Sequence, residues 1–122
     1  MKTLRILAIV LALSLMIGEV WRSYGAGREW LFILDDQIMG GFLLAVAIAV
    51  GRESPRRRLA FSAAWGTVAG MLYGSFFGKL LEPEKAQPGN WDVGVLTWLI
   101  GLAFATSLVG LWASMVLPSR EA

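Results

Sequence analysis

The chain has 122 residues, 57% of them hydrophobic, with six Trp and a formal charge of +2, which fits a single domain and gives no basic surface for nucleic acid. It contains no His and no Cys. That removes the ordinary haem, zinc and iron–sulfur ligands and any disulfide, so no metal and no cofactor is expected, and proton chemistry would fall to carboxylates, Lys or Tyr.

Four apolar stretches, at 6–18, 38–51, 59–78 and 93–117, carry no charged side chain. The last two reach the ~20 residues that a helix needs to cross a ~30 Å hydrocarbon layer. The first two reach that length by taking in flanking residues that include Glu19, Asp35 and Asp36. A soluble body of this size has too little interior to hide so much continuous apolar surface. The expected fold is therefore an all-α integral membrane protein. It is a four-transmembrane-helix bundle forming one domain over 1–122, with spans near 4–21, 30–51, 59–79 and 93–117.

The first span opens with Lys2 and Arg5 ahead of an apolar run, as a signal peptide does. No small-residue cleavage site follows at a suitable distance, so the stretch reads as a retained helix. Ala8 and Ala12 supply small residues on it, and Glu19 lies near its far end. The second span brings Asp35 and Asp36 near its start and a small-residue row at Gly41, Ala45 and Ala49. At ~1.5 Å per residue, Glu19 and Asp36 each stand about 22 Å from the opposite end of their spans, so the two share a depth. Asp35 is rotated by about 100° from Asp36. Intramembrane acids are costly and are read as functional by default. The competing reading makes Asp35 an N-cap, with Arg22 and Arg28 neutralising the acids.

Next come Arg56, Arg57 and Arg58, a topology signal that also meets anionic lipid headgroups at about 1 kcal/mol per residue. In the third span Gly66, Gly70, Gly74 and Gly78 recur every four residues, and Ser62 extends the row. This reads as a nearly straight groove for close helix approach, either inside the chain's own bundle or against a second copy or another membrane protein. Gly74 reaches the depth of the carboxylates and is expected to leave space beside them, and Lys79 is expected to snorkel outward. Asn90 reads as the N-cap of the fourth helix, with Asp92 in its first turn and a small-residue row at Thr97, Gly101 and Ala105. All four prolines, at 55, 83, 88 and 118, are expected in loops or just past a helix end. Trp21, Trp30 and Trp91 suit one membrane boundary, and Trp65 and Trp112 lie nearer the other.

Orientation follows from the basic residues. Lys2, Arg5, Arg52, Arg56, Arg57, Arg58 and Arg120 fall on one side, and Arg22, Arg28, Lys79 and Lys85 on the other. By the positive-inside rule both termini are cytoplasmic, which points to a bacterial inner membrane. In size and in its Glu19-Val20-Trp21 the chain faintly resembles the small multidrug resistance transporters. It departs from them in the depth of its glutamate and in its loop asymmetry, and no assignment follows. No nucleophile–base pair or phosphate-cradling loop is present, so an enzyme is not expected. Two functions remain. One is a non-catalytic subunit, assembly or stabilising partner of a membrane complex. The other is a homo-oligomeric proton- or cation-coupled carrier or channel using Glu19 and Asp36.

Overall fold

The computed structural model describes residues 2–25, 27, 30–85 and 88–117, without the side chain of Phe32. Four helices run in order: α1 (Lys2–Ser23), α2 (Trp30–Ala49), α3 (Pro55–Leu81) and α4 (Val93–Val116), with a 3₁₀ turn at Pro83–Lys85. Among the described residues α1 and α4 are the two that are long and apolar enough to cross a membrane. Their outward faces carry Ile6, Val10, Ile17, Trp98, Leu102 and Trp112, all exposed.

α1 pairs with α2, and α3 pairs with α4. These two hairpins join through α2 and α3, whereas α1 and α4 touch sparsely. The core is the common ground of the hairpins: Ala8 and Ala12 from α1, Leu43 and Ala47 from α2, and Phe61, Trp65, Val68 and Leu72 from α3. Ala8 and Ala12 are fully buried, which lets α2 approach the backbone of α1. The α2 residue that uses this proximity is Gly40: a Cβ there would stand 2.7 Å from Met16 Cγ and 3.1 Å from the Ala12 carbonyl. The expected α2 row is displaced by one residue from this contact. A Cβ on Gly41 would meet nothing within 4 Å, and Ala45 is exposed. On α4, Gly110 lies against the Trp65 ring, and Gly101 lets Phe76 approach to 2.6 Å from the position of an added Cβ.

Helix ends explain two departures from expectation. Pro55 is the first residue of α3, behind the Ser54 N-cap, whose Oγ accepts the Arg57 N–H at 3.1 Å. A first-turn proline lacks a donor that the helix does not need there, so Pro55 belongs to the helix instead of the loop. α4 is capped by Asp92, whose Oδ2 accepts the Val95 N–H at 3.1 Å, and not by Asn90. Asn90 is occupied elsewhere. Its Nδ2 donates to the carbonyls of Trp21 at 2.8 Å and Tyr24 at 2.6 Å, and its N–H donates to Arg22 O at 3.1 Å. The connection into α4 is thereby tied to the end of α1.

Candidate functional site

α1 and α2 are locked in register near their shared end, where Gln37 Nε2 donates to Met16 O at 2.9 Å. One turn further along α1, Glu19 and Asp36 are neighbours at one end of a shared cleft. Glu19 is 3% exposed. Its Oε2 also faces Arg22 Nη1 at 3.5 Å, and its Oε1 accepts from Ser23 Oγ at 3.2 Å. Asp35 does not cap α2, because the helix begins at Trp30 and runs through it. Asp35 is exposed, and its Oδ1 accepts the Asp36 N–H at 2.7 Å. Arg28, the second base expected beside the acids, lies outside the described residues.

The acid pair stands at the head of a cleft of about 1020 Å³ between α1 and α4. Leu7, Val10 and Ile17 form one wall, and Leu99, Leu102 and Ala103 form the other. Trp91 closes the upper end, its Nε1 donating to Gly18 O at 3.2 Å. The space beside the carboxylates was expected next to Gly74. No residue of α3 lines it, because it is the α1–α4 seam that stays open.

The row on α3 divides in two. Ser62 Oγ hydrogen-bonds Ser114 Oγ at 2.9 Å, and a Cβ on Gly66 would meet Leu111 at 3.7 Å, so the first turns face α4. Gly70, Gly74 and Gly78 are exposed, and a Cβ on any of them would meet nothing within 4 Å among the described residues. The reading in which the whole row packs the chain's own bundle therefore fails beyond Gly66. The cause is geometric. A spacing of four against 3.6 residues per turn advances about 40° per step, so the row winds roughly 160° around α3 from Ser62 to Gly78. The buried stripe at Phe61, Trp65, Val68 and Leu72 keeps the helical period and leaves the row behind.

The arginine run is used largely within the chain. Arg57 Nη1 donates to Ala49 O at 3.3 Å and to Arg52 O at 3.0 Å, at the carbonyl end of α2, where a cation is favoured. Arg5 joins it there, Nε donating to Ala47 O at 2.8 Å. Arg58 Nε reaches Ser114 O at 3.2 Å, and its Nη1 reaches Glu53 at 3.2 Å. Arg56 is exposed and remains the member of the run turned to its surroundings. Lys79 does not snorkel outward; it is 9% exposed and bonds Ser75 Oγ at 3.0 Å.

Among the described residues no three acidic side chains converge as a metal site. What the arrangement offers is two neighbouring acids, an apolar cleft below them, and an open glycine face on the far side of α3. The packing roles of Gly40 and Gly110 have a signal in the sequence only once the buried stripes of the partner helices are fixed. The role of Arg5 has none, since it acts across a gap of 42 residues. Comparison with known proteins finds no matching family model, no matching curated protein and no matching solved structure.

Proposed function

We propose that all four helices span a bilayer with both termini on the cytoplasmic side, and that the chain is a small non-catalytic component of a membrane complex. Its docking element is the outer part of the α3 glycine row, which receives a transmembrane helix of another membrane protein. The observation that carries this reading is the open face at Gly70, Gly74 and Gly78, where no side chain among the described residues stands within 4 Å of an added Cβ. In lipid, helices associate through close backbone approach, and a bare face of this kind is what such approach requires. The seven-to-four asymmetry of the basic residues named above supports the orientation. The test is co-purification in mild detergent from native membranes. Gly74→Leu is expected to abolish recovery of the partner while the chain itself stays folded. Unchanged recovery with Gly74→Leu contradicts the reading.

A second reading is favoured by the nearness of Glu19 and Asp36 at one end of the cleft: a carrier or channel for protons or cations, with the acid pair as the coupling element. Asp36→Asn keeps the size and polarity of the side chain and removes its titration. The variant is expected to fold as well as wild type and to lose all coupled flux in liposomes. Absence of flux from wild type at every pH tried removes this reading and leaves the first intact.

A further inference from the structure

We propose that the cytoplasmic end of the bundle holds the headgroup of one net anionic phospholipid against Lys2, Arg52 and Arg56, which three different segments bring to that end. The inference rests on the bilayer-spanning part of the reading above and is independent of docking at α3.

Charge at this end does not balance. The described residues place six cations here, Lys2, Arg5, Arg52, Arg56, Arg57 and Arg58, against one acid, Glu53. Half of the cations are engaged within the chain. Arg5 and Arg57 answer the carbonyl end of α2, and Arg58 takes the Ser114 carbonyl on the last turn of α4 together with the Glu53 carboxylate. Lys2, Arg52 and Arg56 are exposed, and no acid or hydrogen-bond acceptor meets their side chains among the described residues. The run of three arginines is therefore not itself the site. Two of its members are engaged inside the chain, and Lys2 and Arg52 join Arg56 in their place.

The engaged cations fix where the free ones stand. The Arg5 guanidinium lies against Gly51, where an added Cβ would be 2.7 Å from Nη2, so the first turn of α1 abuts the connection that carries Arg52. Arg57 ties that connection to α3 through the Arg52 carbonyl at 3.0 Å, and Arg56 is its neighbour in the chain. Lys2 lies one turn from Arg5, at the open end of α1. Positions anchored in this way lose little freedom when an anion arrives. Three uncompensated cations at the level of the headgroups attract a phosphate, which the planar fork of Arg binds in bidentate fashion. They also discriminate between phospholipids. An ethanolamine headgroup carries its own cation into the array, whereas a glycerol headgroup leaves the phosphate charge uncompensated. In the proposed orientation the lipid comes from the cytoplasmic leaflet, whose anionic lipids attract juxtamembrane Lys and Arg.

The experiment uses the full chain, purified in mild detergent and exposed to mixed vesicles of phosphatidylethanolamine and phosphatidylglycerol in equal amounts. Native mass spectrometry then counts the retained lipid. Wild type is expected to keep one phosphatidylglycerol in preference to phosphatidylethanolamine on the order of a hundredfold, about fivefold for each free cation. Lys2→Gln, Arg52→Gln and Arg56→Gln are each expected to lower that preference about fivefold, and the triple variant to abolish it. If circular dichroism shows that the triple variant is unfolded, the three single variants carry the test. Lys85→Gln, at the opposite end in an ion pair with Glu82, is expected to leave the preference unchanged. An excess of inorganic phosphate is expected not to displace the lipid. Equal retention of the two lipids by wild type, a loss with Lys85→Gln as large as that with Arg56→Gln, or displacement by inorganic phosphate overturns the proposal. A chain released from membranes by alkaline carbonate overturns the spanning reading as well. An embedded chain that retains both lipids equally overturns the headgroup proposal alone.

Discussion

Glycine does opposite work at two positions of the α3–α4 hairpin. Gly110 lets the backbone of α4 rest on the Trp65 ring, so a methyl group there must displace an indole that is itself fully buried. Gly70 sits on the open face of α3 with nothing to meet. Gly110→Ala is therefore expected to lower stability by about 1–3 kcal/mol, the usual cost of overpacking. Gly70→Ala is expected to be neutral or to gain up to about 1 kcal/mol from helix propensity. Thermal unfolding in detergent, followed by circular dichroism, checks both; equal losses at the two positions contradict the assignment of faces. The sequence holds this distinction in a hidden form. The four-residue rhythm is conspicuous, but the stripe at Phe61, Trp65, Val68 and Leu72 fixes which way α3 faces, and the row must be plotted against that stripe. Read alone, the row looks like an inner surface.

Helix ends carry more of the tertiary structure than their sequence signals suggest. The link from the 3₁₀ turn to α4 is held to the last turn of α1 by Asn90, and Gly89 makes the approach possible. Gly89 has φ +60°, and an added Cβ would fall on the Arg22 carbonyl. Asn90→Ala is expected to cost about 1 kcal/mol, the net worth of exposed hydrogen bonds to backbone. Gly89→Ala is expected to cost more, on the order of 2 kcal/mol, through backbone strain and collision together. Denaturant titration of both variants checks the order, and a harmless Gly89→Ala contradicts it. Four helices and their approximate limits were legible from apolar length and charge breaks. The cap of α4 was not, because Asn90 and Asp92 are both good capping residues and tertiary use of Asn90 decides between them. Lys79 departs from its expectation for the same reason, and Arg57 and Arg58 find partners within the chain as well. Sequence rules for these residues describe their relation to a bilayer, whereas Ser75, Ala49 and Ser114 supply partners inside the chain.

Two hairpins joined through α2 and α3 leave one seam unsealed, and that seam holds the acid pair at one end. The nearness of Glu19 and Asp36 was approachable from depth counting alone, since equal distance along antiparallel helices puts side chains at one level. The cleft was not, because no local pattern says which pair of neighbours in a four-helix arrangement will part. In the proposed arrangement both ends of the chain lie on the cytoplasmic side. A cytoplasm-only reporter fused after Ala122 is expected to be active and an export-only reporter silent. The reverse result overturns the orientation and moves the acid pair to the other leaflet.

The central claim is that the outer glycine face of α3 seats a helix from a different membrane protein. Thr67 lies on that face, exposed and within one turn of Gly70. The direct measurement is photo-crosslinking in native membranes from an unnatural amino acid placed at position 67, with and without Gly74→Leu. A covalent adduct with another membrane protein is expected, and it disappears when Gly74→Leu is added. An adduct only with a second copy of this chain, or one that survives the substitution, would contradict it.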